Sequence, residues 1–250
     1  MRAHGHFSGH TNVARAAYVA QPFAKLQSGI DIGTGPPDCI ESPVFVTETF
    51  DKADGPLGPV LAWEHHTYFA ASGDLVVVSN EAVPAYLGVP GSGNGASVVS
   101  QNLQGDVTME VTITQYSGTV ADDHYQHLVT LNLTQGPLAD AMAGSIPPRW
   151  EFGFNDPGFS GGTITWFLDT QFGGVTTSHA RAVPGDVLKL ELVAGTFNAY
   201  LNGSLLLTDS TDYPADPFVA GLSVLNASVG SLAVDNFHLV GTTWCPEAPE

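Results

Sequence analysis

A chain of 250 residues can bury a full apolar core as one domain, and its seven basic against twenty-five acidic residues, net charge −18, repel nucleic-acid phosphates and anionic membrane surfaces. No run reaches the ~18 apolar residues of a membrane-spanning helix, so membrane insertion by that route is excluded. With 28 Gly and 17 Pro among abundant Thr and Val, the composition calls for many short strands broken by turns and leaves little room for helix.

Residues 1–43 differ from the rest of the chain. Arg2, Arg15 and Lys25 precede the first acid, Asp31, so residues 1–30 carry +3 and the remainder −21. His4, His6 and His10, a short helical stretch near 12–20 and the breaker-rich GIDIGTGPPDCIESP mark this region as an N-terminal arm or linker ahead of a domain at 44–250. Two accounts fit it, a basic arm carried on an acidic body and a disordered, slightly basic terminus with no partner. The opening MRAHGHFSGHTNVARAAYVAQPF lacks the continuous apolar segment of a secretory signal, and with Met1 in place the expectation is a chain used without export.

Strand-like segments come next at short spacing: 44–50, 67–71, 74–79, 96–100, 106–116, 125–134, 150–155, 163–169, 172–178, 187–194, 196–202, 204–208, 217–225 and 231–240. Residues 81–95 and 136–148 read as longer loops at the ends of the sheets, where binding usually resides. In LKLELVAGTFNAYLNGSLLLT (188–208), period-2 alternation puts Leu188, Leu190, Leu192, Phe197, Ala199 and Leu201 on one buried face, and Asn202-Gly203 supplies the positive φ of a type I′ turn. If 44–50 pairs antiparallel with 232–240 so that partner numbers sum to 284, Val46 faces His238 and Cys39 faces Cys245. A disulfide between the only two cysteines and a pair of free thiols then both remain open.

Three segments together resemble the concanavalin A-like lectin/glucanase jelly rolls, including the laminin G-like group: ETFDKADGPLGP (48–59) with Trp63 shortly after, the 188–208 stretch, and the closing VDNFHLVG (234–241). The resemblance covers about residues 44–241 and implies an all-β, two-sheet antiparallel jelly-roll sandwich fronted by an extended arm, its first and last strands side by side. It also implies a groove on the outer face of one sheet which, in lectins and glucanases, holds sugar. It further implies a structural calcium between the chain ends, for which Asp235 with Asp51 or Asp54 offers hard oxygen ligands. A turn at Asp54-Gly55 and backbone hydrogen bonding by Asp235 and Asn236 account for the same residues without an ion and are preferred.

Retaining glucanases of this fold resemble one another in an E-x-D-x-x-E strand motif that is missing here. Glu110, Glu151, Asp169 and Glu191 stand alone along the sequence, so no catalytic pair can be named. No Gly-x-Ser-x-Gly elbow leads into a helix, and the histidines at 4, 6, 10, 65 and 66 read as unliganded rather than as a zinc site. For sugar binding the best cluster is Trp150, Phe159 and Trp166 near Asn155, Asp156 and Asp169, although Trp150 alternates with Phe152 and Phe154 as a core stripe would. The expected function is a non-enzymatic virion structural protein, a minor tail or capsid decoration protein assembled in the host cytoplasm. Residues 1–43 would dock on other virion proteins, in many copies or as a homo-oligomer, and host-surface glycan would be a second partner. A secreted lectin or glycoside hydrolase-like module is the alternative.

Overall fold

In a computed structural model of the chain, residues 41–58, 61–65, 75–84, 94–99, 101–119, 127–136, 149–155, 164–170, 173–210, 216–225 and 229–245 are described. They belong to the unit Cys39–Glu250; the other unit, Met1–Asp38, lies outside them, as do the expected helix near 12–20 and strand at 67–71.

Among the described residues, sixteen strands run in chain order as β1 (Pro43–Glu48), β2 (Gly55–Pro56), β3 (Trp63–His65), β4 (Leu75–Val78), β5 (Glu81–Pro84), β6 (Asn94–Val99), β7 (Leu103–Thr119) and β8 (His127–Gln135). They continue as β9 (Arg149–Asn155), β10 (Thr165–Thr170), β11 (Gly173–Ser178), β12 (Val187–Val193), β13 (Thr196–Leu201), β14 (Ser204–Asp209), β15 (Phe218–Leu225) and β16 (Val229–Thr243). Every pairing among them is antiparallel, so the protein is all-β as its composition requires.

One layer runs β14-β13-β12-β7-β16-β1, and the second runs β11-β10-β9-β8-β15-β6-β3, with β5, β4 and β2 attached at β16 through Val234 and Ala82. Among the described residues the two layers join through a single pairing, Phe218 with Leu103. Their inner faces meet ring to ring. Trp150 of β9 stacks on Phe197 of β13 at 5.7 Å and 13°, Phe154 of β9 meets Tyr116 of β7 at 5.8 Å, and Trp63 of β3 meets Phe237 of β16 at 5.1 Å. Each large apolar side chain closed off here stabilises the fold by about 1.5–3 kcal/mol, so alternation on both layers builds the core.

The β12–β13–β14 region follows the expected pattern. Leu188 pairs with Leu201, Leu190 with Ala199 and Leu192 with Phe197, and all six are buried. Ala194 and Gly195 join the first two strands, and Asn202 and Gly203 the next two, each residue at positive φ as type I′ turns demand. Asn202 adds its own hydrogen bonds, accepting from Val187 N at 2.9 Å and donating to Asp186 Oδ1 at 2.7 Å.

Two expectations are corrected. The first and last strands do pair, but Val46 faces Leu239 and Thr47 faces His238, one residue off the proposed register. Antiparallel partners share a face, and the proposed register set Val46, which packs against the core, opposite His238, which alternates with the buried Phe237 and Leu239. The observed one matches buried Leu239 to Val46 and lets Thr47 Oγ1 meet His238 Nδ1 at 2.8 Å. The expected loop 81–95 begins with a strand: Ser79 and Asn80, at φ 54° and 65°, make a glycine-free hairpin turn, and β4 and β5 pair across it.

Candidate functional site

On β8, β9, β10 and β15 the residues alternating with the core stripe form a polar face. Leu131, Leu133, Trp150, Phe152, Phe154, Trp166 and Leu168 point into the core. One strand position away, register lines up Gly221, Asn132, Glu151, Asp169 and Gly174 from β15 to β11, and beside them Ser223, Thr130, Gly153, Phe167 and Thr176. Cross-strand neighbours on one face lie about 5 Å apart at Cβ, so Asn132, Glu151 and Asp169 form a run of amide and carboxylate groups, and in the row beside it Gly153 and the buried Phe167 separate the Thr130 and Ser223 hydroxyls from that of Thr176.

The centre of this face is closed from solvent and its β11 side is open. Asn132, Glu151, Thr130, Thr134 and Ser223 are buried, Arg149 and Asp169 are half-buried, and Gly174, Thr176 and Ser178 are exposed. Inside it, Thr130 Oγ1 hydrogen-bonds Ser223 Oγ. Arg149 Nε reaches Glu151 Oε1 at 3.0 Å. Burial pulls the Arg149 pKa below its ordinary value, while Glu151 and Asp169 hold it up. Asn155 Oδ1 is closed from solvent with no hydrogen-bond partner among the described residues.

This face was only half visible in the sequence. Glu151 and Asp169 stand alone along the chain, yet they are direct partners across β9 and β10. Asn132, Thr130, Arg149 and Ser223 were not singled out; the signal that would have found them is the polar half of the alternation in strands whose other half is aromatic.

Trp150 and Trp166 are corrected as sugar-binding side chains. Their exposures are 1% and 0%, Trp150 stacks on Phe197, and Trp166 lies against Phe152 and Phe154 and donates Nε1 to Ala180 O at 3.2 Å. A sugar needs an accessible ring face, and both rings are spent on the core. Asn155 and Asp169 fall on the polar face, and Asp156 lies outside the described residues.

Of the three carboxylates offered for calcium, Asp54 and Asp235 accept hydrogen bonds from backbone N–H groups. Asp54 Oδ1 accepts from Ser79 N at 2.9 Å and holds a turn. Asp235 Oδ1 accepts from Asn236 N at 2.7 Å. Burial raises the Asp235 pKa, the Asn236 backbone hydrogen bond opposes, and Asp51 and Glu81 add to the rise. Asp51 and Glu81 thus each act on Asp235, and no group of three or more His, Cys, Asp or Glu among the described residues is placed to hold a metal. Cys245 is disulfide-bonded, and the only other cysteine, Cys39, lies outside the described residues.

No protein-family model and no curated protein matches the chain. Solved structures do. A winged bean acidic lectin complexed with methyl-α-D-galactose superposes with a TM-score of 0.52 at 11% identity, over 84% of this chain and 100% of the lectin. SCLam, a non-specific endo-β-1,3(4)-glucanase from family GH16, gives 0.52 at 11% identity, over 82% and 94%. The exoplasmic/lumenal domain of VIP36, in a Ca2+/Man2-bound form, gives 0.50 at 8% identity, over 72% and 80%. At such identities the likeness is one of fold: the antiparallel jelly roll shared by concanavalin A-like lectins and glucanases.

Proposed function

We propose that this chain is a non-enzymatic virion structural protein, a minor tail or capsid decoration protein, whose jelly roll contacts host-surface glycan through the polar face where it opens toward β11. The observation that carries the glycan part is the half-buried Asp169 beside the exposed Thr176 and Ser178 of β11, backed by the buried Glu151 and Asn132, since a carboxylate and hydroxyls held on rigid strands are what the vicinal hydroxyls of a sugar require. Against catalysis, a retaining pair needs two carboxyls that both reach the sugar, and Glu151 is 1% exposed and held by Arg149. In support of attachment, residues 1–30 are basic on an otherwise acidic chain, the charge pattern of an arm that meets acidic neighbours.

The full chain should sediment with host envelope polysaccharide without releasing reducing sugar, and antibody against it should decorate the purified particle. Reducing-sugar release, or particles that carry no label, would reject this reading. The disulfide at Cys245 favours the second reading, a secreted carbohydrate-binding module, because such bonds persist in oxidising compartments.

A further inference from the structure

The four cations that lie beyond residue 30 are all engaged within the fold. Lys52 Nζ donates to Pro56 O, and Arg149 is paired with Glu151. Arg181 lies 5.7 Å over the Tyr116 ring. Lys189 Nζ is 2.5 Å from Glu191 Oε1 and 5.3 Å over the Tyr200 ring. Against these four stand all twenty-five carboxylates of the sequence. On the polar face itself, Arg149 is paired with Glu151 and feels the charge of Asp169, the direct cross-strand partner of Glu151, which leaves that cluster one negative charge in excess.

From this we infer that the ligand of the polar face, granted the glycan-binding reading above, is a glycan free of anionic groups, and that sulfated and uronic polysaccharides are excluded. A sulfate or uronate entering the face would have to draw Arg149 away from its partner while its own charge met Glu151 and Asp169 in a poorly hydrated setting. Further out, the field of the acidic body lowers the local concentration of any polyanion. Uncharged hydroxyls meet neither barrier: they donate to the Asp169 carboxylate, a charge-assisted hydrogen bond, and they exchange donors and acceptors with the exposed Thr176 and Ser178.

Calorimetry on the full chain tests this with soluble neutral glycans (a β-glucan and a mannan), an amino-bearing glycan (chitosan oligomers) and two polyanions (heparin and alginate). The expected result is binding of a neutral or amino-bearing member that Asp169→Ala weakens at least about tenfold and that an excess of polyanion does not displace. For a neutral ligand, Kd should change less than about twofold between about 0.05 and about 0.5 M salt. Polyanion bound only by the basic residues 1–30 would leave the neutral ligand in place, so displacement is the deciding signal. Displacement by heparin or alginate, or binding indifferent to Asp169→Ala, overturns the inference while leaving glycan binding itself standing. Failure of every member of the panel removes the glycan reading and the inference with it.

Discussion

Asp235 shows how a residue can carry a cost that the sequence does not announce. It sits where the β16 register shifts against β7, next to Asn236 at φ 54°, with Asp51 and Glu81 near enough to raise its pKa further after burial has done so. Because folding lifts this pKa above 3.8, the folded chain holds a proton that the unfolded chain releases as pH rises past that value. The penalty is therefore absent at low pH and grows as pH climbs through the folded pKa. Asp235→Asn, whose Oδ1 can still accept from Asn236 N, should raise Tm at about pH 7 and leave it unchanged at about pH 3, as read by thermal melts at both values. At this scale the sequence was least informative. An Asp in a closing strand suits an ion, a turn or a bulge equally, and Trp150 and Trp166 became core residues only once the partner layer brought Phe197 onto Trp150 and the neighbouring strand set Phe152 and Phe154 against Trp166.

Elements were far more legible, because alternation is local and register is not. The buried face of β12 and β13 and the Asn202-Gly203 turn follow from side-chain period and positive φ alone. What two strands do together depends on a neighbour far away in sequence: the β1–β16 register was missed by one residue, and the partnership of Glu151 and Asp169 was missed altogether. Gly153 illustrates the same dependence. A Cβ there would run into Val129 O, lie 2.6 Å from Thr130 Cγ2 and press Phe167 Cζ at 3.2 Å, so the strand crossing at the centre of the polar face requires a hydrogen. Backbone on a paired strand cannot step aside, so Gly153→Ala should destabilise by about 1–3 kcal/mol, the range for overpacking. Urea denaturation would check it. An unchanged midpoint would mean that β8 and β9 are not held at this spacing.

For the molecule as a whole, the charge balance and the clasp at its chain ends act in opposite senses. Seven cations against twenty-five carboxylates make the compact state self-repulsive, while discouraging bodies of this kind from associating with one another. The ends of the jelly roll are tied where β1 enters and β16 leaves. Thr243 N donates to Ser42 O at 3.0 Å and Trp244 N to Asn102 O at 3.0 Å, and the next residue, Cys245, is in a disulfide whose only available partner in the sequence is Cys39. A bridge closing a loop of about 200 residues removes enough unfolded-state entropy to contribute about 5 kcal/mol, which is comparable with the whole stability of many domains. Thiol reduction, or Cys245→Ser, should accordingly lower Tm by about 10–20 °C in a chain of this size, and reduction should add nothing further to the Cys245→Ser variant. Scanning calorimetry of both proteins with and without a reducing agent reads this directly. If all four melts coincide, the backbone ladder between Ser42 and Thr243 already holds the ends together and the disulfide is incidental to stability.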